Sequence, residues 1–392
     1  MKILSINAGS SSMKFTAYEM PEEKELISGY IERIGIIGSF YTLKINGEKI
    51  EKTTEVKNHK QAFEILVEEL KAYNIVKKLE DIKGLGHRIV QGGAYFDKSV
   101  KVDDDVLDKI EELAPLAPLH NPAALVGIKA AMEVFPKATQ VVVFDTAFHQ
   151  TMEESKYLYA LPYDWNEKYN VRKFGAHGTS HKYVAMRANE ILGKEDTRLI
   201  TCHLGSGASI SAVVNGKCVN TSMGLTPNAG LVMGTRCGDI DATIVPYMIR
   251  KGMDVDEIDR VMNKESGFLG ISGQYSDARD IVDACKEGDK RAILARDMFV
   301  DRVTDYIAKY YFEMKGVDAI IFTAGMGEKS LPFRAEIMKR LDVIGIYLDE
   351  KANNDTFAKE GLISTKDSKI PCYVIPTNEE LMIALDTYEL TK

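Results

Sequence analysis

Two short segments place glycine and small hydroxyl residues directly after an aliphatic run. They are Ile3-Leu-Ser-Ile-Asn-Ala-Gly-Ser-Ser-Ser-Met-Lys-Phe15 and Leu199-Ile-Thr-Cys-His-Leu-Gly-Ser-Gly-Ala-Ser-Ile-Ser211. Each reads as strand, tight turn and strand. Glycine lets successive backbone amides converge on one anion and lets the chain approach it closely. One such turn is an ordinary hairpin, but its recurrence points to a duplicated unit gripping a polyanion.

Other segments add charge and hydrogen-bond donors. In Gly86-His-Arg-Ile-Val90, Arg88 falls near a strand end, where a planar guanidinium can take a carboxylate or phosphate bidentately; a surface ion pair is the plainer alternative. Gly234-Thr-Arg-Cys-Gly-Asp-Ile-Asp241 sets Arg236 among glycines and two carboxylates. Phe174-Gly-Ala-His-Gly-Thr-Ser-His181 places two histidines four apart, yet it has neither the following Glu nor a third ligand of a zinc motif. His177 donating to a phosphoryl oxygen fits better. Gly325-Met-Gly-Glu-Lys-Ser330 follows an apolar run and resembles a nucleotide loop, although the Walker spacing is absent. With Lys14 and several carboxylates able to hold Mg²⁺, the inventory suits phosphoryl transfer, in which catalysis is mainly positioning and electrostatics. No serine or cysteine nucleophile stands beside an evident base.

The elements that must hold these residues alternate between strands and helices, which predicts an α/β protein with mixed sheets. Strand-like runs cover 26–57 with a turn at Asn46-Gly47, and helices are expected at about 59–73, 121–135 and 378–390. Buried strands are expected at Gly84 to Val90, Gln140 to Asp145, Ile320 to Gly325 and Cys372 to Pro376. At 392 residues the chain exceeds one ordinary core, so two domains are expected. The net charge of −8 argues against general nucleic-acid affinity, so anions must be held by local groups. Five scattered cysteines without a Cys-x-x-Cys pair read as reduced thiols. The first hairpin begins at the amino terminus without a signal-like segment, and no apolar stretch nears about 18 residues. A cytoplasmic protein without membrane or nucleic-acid partners is expected.

Taken together, the motifs resemble the acetate kinase family, of the acetate and sugar kinase, heat-shock chaperone and actin superfamily. The likeness runs through Asn7 to Lys14, Gly86 to Val90, Ala117 to Pro122, Phe144 to His149, His177 to His181, His203 to Gly207, Ser222 to Pro227, Met233 to Arg236 and Pro376 to Glu380. It implies two ribonuclease-H-like lobes, with mixed sheets flanked by helices and an active site in the interlobe cleft. The implied domains are 1–146, joined by the C-terminal helix 379–392, and a nucleotide-binding lobe 147–378. The implied reaction transfers the ATP γ-phosphate to acetate, giving acetyl phosphate and ADP, with Mg²⁺ or Mn²⁺. By position, Asn7 and Glu379 resemble the family's metal residues and Lys14 its nucleotide-phosphate contact. Arg88, Arg236, Asp145 and His177 resemble its catalytic residues. Nucleotide segments correspond to His203, Leu204, Gly205, Ser206 and Gly207, to Asp277, Ala278 and Arg279, and to Gly325, Met326, Gly327, Glu328 and Lys329. Arg88, Val90, Leu119, Ala176 and Pro227 resemble the acyl site, and the family is typically homodimeric.

The chain departs from the family's commonest pattern at Ser206, Lys329, Gln91, Asn228-Ala229 and Ala176. Ala176 stands where Phe often walls the acyl pocket, so appreciable propionate use is expected, since a methylene is worth only ~1–3 kcal/mol of discrimination. A short-chain acyl kinase is therefore the alternative reading. A nucleotide-driven ATPase of the actin or chaperone type is a further one, which needs no arginine clamp for a small acid.

Overall fold

The computed structural model describes residues 1–118 and 120–392. The chain folds as two compact units, Met1–Gln150 with Asn378–Lys392, and Thr151–Thr377.

The first unit is built on strands β1 (Lys2–Ala8), β2 (Ser12–Glu19), β3 (Lys24–Glu32), β4 (Phe40–Ile45), β5 (Glu48–Thr53), β6 (Ile82–Ile89), β7 (Val100–Lys101) and β8 (Thr139–Phe144). Their order in the sheet is β5-β4-β3-β2-β1-β6-β8-β7. The Gly9 turn makes β1 and β2 antiparallel, while β6 and β8 add in parallel. The β4–β5 turn carries positive φ at both Asn46 (51°) and Gly47 (84°), the two-residue geometry those residue types favour. Helix His59–Ala72 starts where Asn58 Oδ1 accepts the Gln61 amide, and buries Phe63, Leu66, Val67 and Leu70 against the sheet.

The C-terminal helix Glu379–Thr391 belongs to this unit and lies on β6. Glycines at 84 and 86 are what admit it. A Cβ on Gly86 would stand 2.1 Å from Thr387 Oγ1 and 2.6 Å from Ile383 Cγ2, so any side chain would push the helix off the strand. Asn378 caps this helix through the Leu381 amide, which fixes where Glu379 and Glu380 emerge.

The second unit repeats the plan. Its strands are β9 (Arg198–Leu204), β10 (Ala208–Val214), β11 (Lys217–Thr221), β12 (Ala319–Thr323), β13 (Gly361–Leu362) and β14 (Cys372–Val374), ordered β11-β10-β9-β12-β14-β13. Again an antiparallel hairpin, here turning at Gly205 to Gly207, is extended in parallel by the next two inner strands. The five-strand series β3-β2-β1-β6-β8 matches β11-β10-β9-β12-β14, the ribonuclease-H-like arrangement in both units. The core here gathers Ile200, Ile210, Phe299, Phe322 and Ile337 under the long helix Lys290–Glu313, which Asp289 caps.

One expected loop is a helical turn. Residues Ala324–Lys329 coil directly after β12, because Glu328 Oε1 accepts the Ala324 amide at 2.8 Å and the Thr377 amide at 3.1 Å. The fully buried Arg334 closes the other end, donating from Nη1 to the carbonyls of Gly327 (2.9 Å) and Glu328 (2.8 Å). Its remaining bonds go to Asn353 and Thr356, and burial pulls the guanidinium down to about 10. The five cysteines are free thiols, three buried and two half-buried. Among the described residues no helix is long and apolar enough to cross a membrane.

Candidate functional site

In the first unit, the ends of β6 and β8 bring Arg88 and Asp145 together. Arg88 Nη2 donates to Asp145 Oδ2 at 2.7 Å, and Nε donates to both carboxylate oxygens at 3.1 and 3.2 Å. Asp145 is 1% exposed, and its charge holds the guanidinium firmly protonated. Three of the five guanidinium N–H groups, both on Nη1 and one on Nη2, are left for a ligand. The carboxylate therefore orients Arg88 and leaves a donor edge, as a substrate clamp requires.

Glu379 lies beside this pair at the start of the C-terminal helix. Its Oε1 is buried without a hydrogen-bond partner among the described residues. Burial raises its affinity for a proton, Arg88 opposes that, and Asp145 and Glu380 add to it. Asn7 faces Lys14 across the hairpin, and Lys14, exposed, pairs with Glu380. An orphaned carboxylate oxygen near a second carboxylate fits a divalent cation that keeps waters and phosphate oxygens in its shell. No group of three or more His, Cys, Asp or Glu side chains among the described residues is arranged to hold a metal alone. Val90 is half-buried; Leu119 lies outside the described residues.

In the second unit, His177 caps the helix Gly178–Leu192 with left-handed backbone (φ 58°), an uncommon conformation for a non-glycine residue. Its ring stacks on His203 at 4.1 Å, and its Nδ1 meets Ser209 Oγ at 2.9 Å. Arg236 comes from the loop after β11, which the Gly234 amide ties to the Ser206 carbonyl at 3.2 Å. Its Nη1 donates to the Pro227 carbonyl at 3.2 Å, and no carboxylate pairs with it among the described residues. Burial alone lowers its hold on the proton. A half-buried guanidinium without a counter-ion is a standing invitation to an anion.

Gly207 shows where that anion would lie. A Cβ there would stand 3.4 Å from Arg236 Nη1 and 3.5 Å from His177 Nε2. Both donors thus face one small space that the missing side chain leaves open.

The remaining expected residues divide. Ser206 is exposed at the tip of the turn, while Leu204 is buried in the core, so only its backbone is available. Asp277 is spent on its own helix, accepting the Arg279 amide at 2.8 Å and the Arg279 side chain at 2.6 and 3.0 Å. Ala278 opens that helix, half-buried. Glu328 likewise turns inward to amides, whereas Gly325 and Lys329 are exposed and Met326 and Gly327 are buried. Ala176 is 3% exposed within the apolar core of its unit, and Pro227 is half-buried. Gln91 gains a role: its Oε1 accepts the Gly93 amide at 2.9 Å, while Asn121 brackets its backbone.

Ser209, Thr201 and Arg334 escaped the sequence reading. For the first two a signal existed. Thr201 and His203 on β9 pair with Ser211 and Ser209 on β10, a polar stripe of period two within otherwise apolar strands. Nothing local marks Arg334.

The acetokinase family model matches residues 2–385. The acetate kinase of Bacillus cytotoxicus is 53% identical over 392 residues, covering 99% of this chain and 98% of that protein. That of Bacillus subtilis is 51% identical over 394 residues, covering all of both. Among solved structures, Porphyromonas gingivalis acetate kinase superposes with a TM-score of 0.94 at 45% identity, covering 100% of each chain. A propionate kinase from Francisella tularensis gives 0.93 at 44%, covering 99% of each.

Proposed function

The chain belongs to the acetokinase family and moves a phosphoryl group reversibly between ATP and acetate, and from that premise we propose how its residues divide the work. A carboxylate acceptor with pKa ~4–5 is already ionised at neutral pH, so the nucleophile needs no general base. The obstacle is repulsion between an anionic acceptor and an anionic phosphate. Arg88, held by Asp145, binds and orients the acid. Arg236 and His177 take the equatorial oxygens of the group in transit, so that the charge of an in-line displacement is met by fixed donors.

Asn7 and Glu379 would hold Mg²⁺ or Mn²⁺, which when bound offsets charge on the nucleotide phosphates. Lys14 contacts the nucleotide phosphates. Gly205 to Gly207, the Asp277 to Arg279 segment and the Gly325 to Lys329 turn receive the nucleotide, chiefly through backbone, since Asp277 and Glu328 are engaged locally. Val90, Ala176 and Pro227 are the candidates for contact with the acyl group. The protein works in the cytoplasm as a homodimer; the helix Ile244–Arg250, whose Ile244, Tyr247 and Ile249 are exposed in one chain, supports a second copy as the partner.

The observation that carries this reading is the Arg88 guanidinium fixed by Asp145 with a donor edge to spare. It is tested by ADP formation from ATP with acetate, propionate and butyrate. Acid-dependent ADP formation is expected, and ADP released equally without acid would mark an ATPase instead. A propionate preference is the second reading, favoured by the small Ala176 and the likeness to a propionate kinase. Propionate kcat/KM should fall within about 200-fold of the acetate value.

A further inference from the structure

Behind His177 runs a line of buried hydrogen bonds that the phosphoryl-transfer reading does not use. Ser209 Oγ lies between two rings, 2.9 Å from His177 Nδ1 and 2.8 Å from His181 Nε2. His181 Nδ1 in turn meets Thr201 Oγ1 at 2.7 Å, and Thr201 Oγ1 has one further contact, 3.4 Å to the Ser211 carbonyl. Ser209, His181 and Thr201 are fully buried.

With neutral rings each bond in such a line carries one proton, and because both rings donating to Ser209 would leave its buried hydroxyl proton without an acceptor in the line, two polarities use every proton. Running inward, His177 Nδ1–H donates to Ser209, Ser209 to His181 Nε2, and His181 Nδ1–H to Thr201. Thr201 must then spend its own proton on the 3.4 Å contact, well beyond an ordinary O–H···O bond of ~2.7–2.8 Å. Running outward, Thr201 donates across 2.7 Å to His181 Nδ1, His181 Nε2–H donates to Ser209, and Ser209 donates to His177 Nδ1. Every bond is then short. The outward polarity leaves His177 neutral with its proton on Nε2, the atom that shares the space over Gly207 with Arg236 Nη1.

We propose that Thr201, His181 and Ser209 are positioning residues whose outward-polarised relay fixes the tautomer of His177, so that the proton of the neutral ring is on Nε2, the nitrogen presented to the transferring phosphoryl group. The proposal rests on the assignment of His177 given above. It adds that the donor is set from the far end of the line, by a hydroxyl that touches no substrate.

The test uses the full chain labelled with ¹⁵N-histidine, in which the signals of His177 among the seven histidines are identified by their loss from a His177→Asn spectrum. In the substrate-free protein, at a pH where the ring is neutral, His177 should show an unprotonated Nδ1 and a protonated Nε2. A protonated Nδ1 would overturn the relay. Thr201→Val keeps the branched shape and removes the donor; the His177 signals should move toward a mixture of tautomers. kcat should fall about tenfold, the loss of roughly one hydrogen bond, with KM for ATP and acetate within about twofold. Thr201→Ser should restore both. Unchanged signals and kcat in Thr201→Val, or a loss that Thr201→Ser does not repair, would sink the proposal; if Thr201→Val fails to fold, Ser209→Ala read the same way decides. The substrate-free spectrum is independent of acid-dependent ADP formation, so the two readings fail separately.

Discussion

Gly207→Ala isolates the space between Arg236 and His177. The added methyl would meet Arg236 Nη1 at 3.4 Å and His177 Nε2 at 3.5 Å, ordinary contact distances, and Gly207 is not among the residues with positive φ. The substitution therefore strains nothing. At a compatible backbone position Gly→Ala stiffens the unfolded chain and stabilises by ~0.4–1 kcal/mol. A phosphoryl oxygen, by contrast, needs to sit about 2.7–3.0 Å from both nitrogens. With a carbon already there, the oxygen is displaced and one or both charged bonds are lost, each worth ~1.5–3 kcal/mol. The expected outcome is a kcat about 10²–10³-fold lower, beside a melting temperature that is unchanged or a few degrees higher. Arg236→Ala should cost kcat on the order of 10² or more through the same space. Coupled ADP-release kinetics and calorimetry on one preparation supply both readings. A Gly207→Ala enzyme with kcat within about threefold of wild type would refute the placement of the transferring group over Gly207.

Glu379→Gln should raise the melting temperature at neutral pH, since burial disfavours the carboxylate form. For a carboxyl raised in the fold, stability is lost as pH climbs from the unfolded pKa through the folded one, so the difference from wild type should vanish in acid; calorimetry across pH reads this. The same variant should need roughly tenfold or more Mg²⁺ for half-maximal rate. His87, 2% exposed and donating to Gln140 Oε1 at 2.8 Å, is pushed down to about 4 by burial. The unfolded chain then binds the extra proton first, so stability should fall by about 3 kcal/mol as pH drops from ~6.5 to ~4, and His87→Gln should show a shallower fall in urea denaturation over that range. Equal acid dependence in both proteins would dismiss His87 as the cause.

Much of the fold is legible locally because hydrophobic period, turn residues and caps act over a few residues. The helices at His59–Ala72 and Asn121–Val134, the hairpin turns and the inner strands lie close to where periodicity puts them. The duplicated Gly-Ser turn announced the duplicated sheet, since each copy carries its own strand, turn and strand. The turn at Ala324–Lys329 was not legible, because the groups that coil it, Thr377 and Arg334, are distant in sequence or silent in motif.

For the site, sequence alone determined which residue types are present: two arginines, a histidine, glycine turns and carboxylates in an order shared with a family. It could not say which of these are free to act. Asp145 and Asp277 are both carboxylates near a guanidinium, yet one is buried and aims Arg88, while the other is tied to its own helix cap. Arg88 and Arg236 read alike, yet one has a carboxylate and the other has none. Those differences, and the line from Thr201 to His177, depend on which atoms distant segments bring within hydrogen-bond reach, and a bond of about 3 Å between residues far apart along the chain exists only once the sheets have formed.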